Sequence, residues 1–192
     1  MASVQQFSDK EKAAIGEAMK EAESLMLAKN KKAAAAAAAS SQDHGFLVIG
    51  VMKNLYSTAI ERLGEEWNWM GSFEDSPPQK IEKNGIGSFA HNSKPEEEEC
   101  SGAFKYCSDS SSKLKRGWIL AWMKYKGNNR VYVEAGTQHR INQLKESDIK
   151  YKLKVSGPTS RYWDSDTGAS AIAEIKDWEV DGALIAVSFD QF

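Results

Sequence analysis

From Phe46 onward the chain breaks into short apolar, β-branched or aromatic runs, each stopped by glycine or a polar cluster, and this punctuation restricts the fold more than any other feature. The runs are Phe46 to Val51, Ser57 to Leu63, Gly85 to Phe89, Gly102 to Cys107, Trp118 to Met123, Val131 to Val133, Ala171 to Ile175 and Ala183 to Phe189. Asn54, Gly127-Asn128-Asn129 and Asp181-Gly182 supply turn chemistry between them, and Ser57 to Leu63 reads as the hairpin partner of the first run. Short strands at this spacing predict a mainly β chain folded as a compact antiparallel β-sandwich rather than an α/β protein. Residues 147–157 stay open. Ile149, Tyr151, Leu153 and Val155 alternate with lysines as in a half-buried strand, while Ser147-Asp148 and Gly157-Pro158 would equally bound a short helix.

An N-terminal α-helical segment is predicted ahead of the β region, over residues 8 to 39. Ser8 and Glu11 have the spacing of a capping box, and Phe7 is placed to staple the entry. Ile15, Met19, Ala22 and Met26 recur at helical spacing with Leu25 beside them, while most charges fall elsewhere. Ala33 to Ala39 is a helical spacer, because alanine favours helix but buries little area. The chain therefore divides into an amphipathic helix with its spacer, residues 1–41, and a β-sandwich domain, residues 42–192.

Formal charge is −2 across 192 residues, so no global field draws the chain to nucleic acid, and none is expected as a partner. No apolar run is long enough to span a bilayer and Met1 to Lys10 lacks a signal-peptide core, which gives a cytoplasmic expectation. Cys100 and Cys107 are too few for a disulfide framework or a zinc site, and His44, His91 and His139 lie in no metal-binding spacing. No metal and no cofactor are expected. His91, His139, Ser160 and Asp164 carry triad chemistry only on paper, and the glycines suit strand ends rather than a phosphate loop, so the expected function is non-enzymatic.

The order Glu66-Trp67-Asn68-Trp69-Met70-Gly71, Pro77-Pro78-Gln79-Lys80-Ile81, Asn84 to His91, Ser101-Gly102-Ala103 with Tyr106, Trp118 to Trp122 and Asn129 to Glu134 resembles the plant 23 kDa jasmonate-induced protein family. It is similar, more distantly, to the aegerolysin and actinoporin β-sandwiches. The resemblance implies a stress or defence protein without catalytic residues to transfer, and a fold several of whose members bind membranes. The actinoporin phosphocholine pocket uses serine, proline and tyrosines around the strand matching Trp118 to Tyr125; Ala121-Trp122-Met123-Lys124-Tyr125 keeps an aromatic and a tyrosine without the serine and proline.

Candidate ligand-binding residues, for membrane lipid or glycan, are Trp67, Asn68, Trp69, Trp122, Tyr125, Tyr162 and Trp163. In a strand, Trp67 and Trp69 would share a face. With Glu66 and Asn68 they would also make a sugar-stacking set, the basis of a lectin-like alternative. Lys113, Lys115, Arg116, Lys124, Lys126 and Arg130 form a candidate basic surface, although a strand from Trp118 to Met123 would send them to opposite ends of a sheet. The expected function is thus binding of a membrane or a glycan, up to and including a membrane-active, pore-forming or insecticidal toxin, with the N-terminal helix available for insertion or for contact with a second copy.

Overall fold

The computed structural model describes residues 7–37 and 45–191. His44, the end of the alanine run at Ala38 and Ala39, residues 1–6 of the leader region and the division between residues 41 and 42 lie outside the described residues. Helix α1 (Asp9–Ala37) is followed by strands β1 (Leu47–Asn54), β2 (Ile60–Arg62), β3 (Trp67–Met70), β4 (Ser72–Asp75), β5 (Lys80–Ile81), β6 (Ile86–Asn92), β7 (Glu99–Ser108), β8 (Arg116–Tyr125) and β9 (Arg130–Thr137). Helices α2 (Gln138–Asn142) and α3 (Glu146–Lys154) then precede β10 (Thr159–Trp163), β11 (Ala169–Trp178) and β12 (Gly182–Gln191).

Two sheets face each other. The first runs β10-β11-β12-β1-β6-β4, and the second β5-β2-β7-β8-β9, with β3 also paired to β7. The mainly β sandwich is as expected, and its pairs are antiparallel except one: β1 and β12 run parallel, from Leu47 opposite Gly182 to Asn54 opposite Phe189. β1 and β12, far apart in sequence, lie side by side in the middle of the sheet, with no hairpin turn between them to impose an antiparallel direction. Ser57 to Leu63 is not a hairpin partner of the first run. Its strand β2 joins the other sheet through β5 and β7. Asn54 organises the crossing: its fully buried amide donates to the carbonyls of Thr58, Ile81 and Glu82, while its side-chain oxygen accepts from the Tyr56 N–H.

Between the sheets lies an aromatic core. Phe89 meets Phe104 edge-on with centroids 5.1 Å apart and Trp122 at 4.9 Å, while Tyr56 meets Trp118 at 5.1 Å. Rings at such separations add about 1 kcal/mol per pair beyond their buried area. Gly71, with φ +94, turns the chain from β3 in the second sheet to β4 in the first, and a Cβ there would lie 2.4 Å from the Asn92 carbonyl oxygen. That backbone angle and that contact both require glycine.

Each sheet is apolar on its outer face as well, and a helix covers it. Ala14, Ile15, Ala18, Met19, Ala22 and Met26 of α1 are buried, most of them packed with Ile49, Val51, Ala90, Ile172, Leu184 and Ala186 of the first sheet. The capping box forms, with Ser8 N–H donating to Glu11 at 2.7 Å and Glu11 N–H to Ser8 Oγ at 3.2 Å, and Phe7 packs on the same cluster. Glu11, Glu17, Glu23 and Lys29 then tie the helix to Arg161, Lys53, Lys176 and the Glu74–Asp75 pair. Among the described residues no helix is long and apolar enough to cross a membrane.

Ala18 and Ala22 are both 0% exposed, so the helix sits on the sheet through residues too small to be enlarged. Ala22→Leu should therefore destabilise the protein by about 1–3 kcal/mol in urea unfolding, while Ala33→Leu, on an exposed position of the same helix, should change it by less than about 0.5 kcal/mol.

Candidate functional site

The outer face of the second sheet carries Ala103, Ile119 and Ala121, and α3 lies across them with Ile149 and Leu153 buried against that cluster. In a helix these two share one side, so Tyr151 and Val155 are turned outward, 69% and 67% exposed. A strand would have put all four on one face. Tyr125, at the end of β8 and 40% exposed, continues the outward row Ile119, Ala121 and Met123 beside α3. Arg130 fixes the junction, because its guanidinium donates to the carbonyls of Lys154 and Ser156 at the C-terminal end of α3. Lys126 and Lys154 are exposed around these side chains, and Lys150 lies along the flank of the helix.

A buried carboxylate holds the other flank. Glu134, 1% exposed, accepts from Lys152 at 2.8 Å, from the Tyr132 hydroxyl at 2.8 Å and from Arg140 of α2. Burial alone would raise its pKa, but these donors hold the carboxyl below its ordinary range.

Trp67 and Trp69 do share the outer face, stacked with centroids 6.3 Å apart and planes 23° from parallel. Lys105 lies over Trp67 at 4.8 Å and Lys150 over Trp69 at 5.3 Å. The sugar-stacking set is divided, however. Asn68 points through the strand toward His91, Glu66 is ion-paired to Arg62 at 2.7 Å, and the indole faces meet lysines.

The other sequence candidates scatter. Trp122 is 0% exposed among Phe73, Phe89 and Phe104, a core residue out of a ligand's reach, because the even-numbered side chains of β8 point between the sheets. Lys124, on the same side, is 1% exposed and paired with Asp177 across the sandwich, so it belongs to no basic surface. Tyr162 is half-buried under Arg140, while Trp163, 59% exposed, alternates to the face from which Arg161 reaches α1. Lys113, Lys115 and Arg116 lie at the start of β8, about 30 Å from Lys126 at its other end. Arg116 is occupied by the Thr167 carbonyl, Tyr56 and Gln191. The sequence-predicted residues that do gather are Trp67, Trp69, Tyr125, Lys126 and Arg130. Tyr151, Val155, Lys150 and Lys154 join them, and were not singled out because their segment read equally as strand or helix.

No family model matches the chain. It is similar to a jasmonate-induced protein homolog from Atriplex canescens, 29% identical over 117 residues. That match spans 58% of this chain and 63% of the relative, so the chain covers less than two thirds of that protein's length. In three dimensions it is similar to the crystal structure of the lipid binding protein Nakanori, with a TM-score of 0.64 at 15% identity over 86% of this chain and 79% of that one. At that identity the likeness shows the shared β-sandwich fold. The more distant aegerolysin and actinoporin comparison remains an expectation from the sequence.

One buried chain has the outline of a cysteine–histidine–asparagine triad: Cys100 Sγ lies 3.0 Å from His91 Nδ1, and His91 Nε2 3.0 Å from Asn68 Oδ1. Because the amide oxygen can only accept, Nε2 carries the proton and Nδ1 accepts from the thiol. Both groups are neutral. Burial pushes the Cys100 thiol well above its usual range, with Glu97 and Glu99 adding to it, and lowers His91 to about 4. Cys100 and His91 are 0% exposed, sealed by Phe73 and Trp122, so the chain satisfies polar atoms in the core instead of presenting a nucleophile.

The depressed His91 pKa has a thermodynamic consequence. Between about 4 and the ordinary 6.5 the unfolded chain binds a proton that the folded one refuses, so stability falls as pH drops through that window. Urea unfolding should show a loss of about 2 kcal/mol from pH 7 to pH 5, which His91→Gln should largely remove.

Proposed function

We propose that this protein works by binding rather than catalysis, and that it engages membrane lipid through the α3-bearing face of its second sheet. The observation that carries this reading is the exposure of Tyr151, Val155 and Tyr125 on neighbouring elements with Lys126, Lys154 and Arg130 around them. Aromatic and aliphatic side chains seat at a headgroup boundary, and lysines beside them meet phosphates. Similarity to the structure of a lipid binding protein supports the reading, as does similarity to a jasmonate-induced protein homolog for a role in plant stress. A carbohydrate ligand is less favoured, since the Trp67–Trp69 pair has lysines over its rings and its polar neighbours are engaged elsewhere. Membrane insertion by α1 would be a further step. It requires the buried stripe from Ala14 to Met26 of that helix to leave the sheet.

Sedimentation with phosphatidylcholine vesicles, with and without phosphatidylserine, separates the apolar and charged contributions. Tyr151→Ala with Val155→Ala should weaken binding roughly tenfold or more at low and high salt, since each buried side chain contributes about 1.5–3 kcal/mol. Lys126→Glu with Lys154→Glu should matter mainly at low salt on the anionic vesicles, because each charge contributes about 1 kcal/mol and is screened within a Debye length. Unchanged binding by both double variants would remove this face from the mechanism. An intact protein that ignores vesicles but binds immobilised glycans would transfer the function to carbohydrate recognition.

A further inference from the structure

Helix α1 outruns the sheet it covers. Its 29 residues span roughly 43 Å, whereas the ten-residue strands β11 and β12 span roughly 33 Å. The buried stripe accordingly ends at Met26, and Ala33, about two turns further on, is exposed. Under this overhang, at the end of the first sheet where β11 turns into β12 and β1 begins, lies a cavity of about 990 Å³. Among the described residues its apolar wall is made by Met26, Ala33, Phe46, Leu47, Trp178 and Val180. Sites for small organic molecules have volumes of roughly 300–1,000 Å³ and a lining of this kind, with a few polar groups that fix orientation.

We propose that this cavity binds an uncharged amphiphile, an apolar body carrying a neutral oxygen such as a hydroxyl or an ester carbonyl. Two observations select that class. The charged side chains around the cavity are two lysines, Lys29 and Lys32, against four carboxylates, Glu74, Asp75, Glu179 and Asp181. Lys29 is already held between Glu74 and Asp75, 2.8 Å from each, so a fatty-acid carboxylate would meet net negative charge there. The Trp178 indole N–H, in turn, is buried without a hydrogen-bond partner. Cδ1, its neighbour in the ring, lies beside Gly182 of the cavity wall, where a Cβ would sit 3.3 Å from it. No hydrogen bond holds the indole N–H where it is, so a modest rotation toward a ligand oxygen gains one and breaks none. An ammonium head only donates and cannot supply that oxygen. The cavity adjoins the first sheet and α1, whereas the lipid face belongs to the second sheet and α3, so the two readings stand independently.

Indole N–H spectra of the isotopically labelled full chain test it, in titrations with octanol, octanoate and octylammonium, which share one chain and differ in the head. Trp178→Phe keeps an aromatic ring, removes the N–H and so identifies its resonance. Octanol should move that resonance downfield and saturably, while the N–H of Trp122, equally unpartnered but sealed in the core, stays in place. Octanoate and octylammonium should bind roughly tenfold more weakly at low salt. In Trp178→Phe the octanol affinity, followed on the Val180 methyl resonances, should fall by up to about tenfold. Ala33→Leu, which narrows the cavity from the helix side, should weaken octanol binding without moving the urea midpoint. A Trp178 resonance that octanol does not move, or that moves together with that of Trp122, overturns the site. Octanoate or octylammonium binding as tightly as octanol overturns the ligand class. Tyr151→Ala with Val155→Ala should leave the octanol titration unchanged, so failure of the membrane face and failure of this cavity are read separately.

Discussion

Burial on both faces of both sheets is the constraint on which the rest of the structure depends. A sandwich ordinarily sets one face of each sheet inward and leaves the other to water. Here β1 sends Val48 and Met52 into the aromatic core and Ile49 and Val51 outward under α1. Ala103, Ile119 and Ala121 repeat the arrangement on the second sheet, under α3. Left uncovered, either outer face would present a contiguous apolar patch of the kind that drives association. The helices are therefore layers of the fold. Their outward sides, already positioned by what they cover, become the surfaces available for function.

The two helices meet this constraint differently. Helix α1 approaches closely through alanine and methionine and is pinned along its length by ion pairs from Glu11 to Lys29. Exposed pairs of this type contribute little individually, so the firm attachment comes from the buried stripe. Helix α3 contributes only Ile149 and Leu153 to its cluster, and is held instead at its flanks: Lys152 and Arg140 on the buried Glu134 carboxylate, Lys150 over Trp69, and Arg130 at its C-terminal carbonyls. That arrangement leaves Tyr151 and Val155 largely exposed. It concentrates the exposed apolar area of this face beside cations.

Electrostatics sharpens the same picture. Polar groups meet in the interior in two ways, as the neutral Cys100–His91–Asn68 chain and as the Lys124–Asp177 ion pair between sheets. Burying these groups is tolerated because each is hydrogen-bonded or ion-paired.

Most of the fold was legible in the residues. Apolar, β-branched runs bounded by glycine or polar clusters marked the long strands, helical spacing marked the stripe from Ile15 to Met26, and Ser8 with Glu11 marked the helix start. These are local signals, since a side chain's face follows directly from its position along the element. Pair partners were not legible. The parallel match of β1 with β12 and the departure of β2 to the other sheet join residues far apart in sequence, with no turn between them to fix register. The candidate site divides in the same way. Trp67 and Trp69 could be assigned to one face from their spacing alone, but Trp122 and Lys124 could not be recognised as interior until β8 was seen to lie between two sheets. Residues 147–157 show the limit most directly: four apolar residues two apart fit a strand with one buried face or a helix with two buried and two exposed. The sequence by itself determined that Ile149 and Leu153 must be covered; only packing against Ala103, Ile119 and Ala121 decided for helix and so turned Tyr151 and Val155 outward, because burial is settled by what lies opposite a side chain and not by the side chain itself.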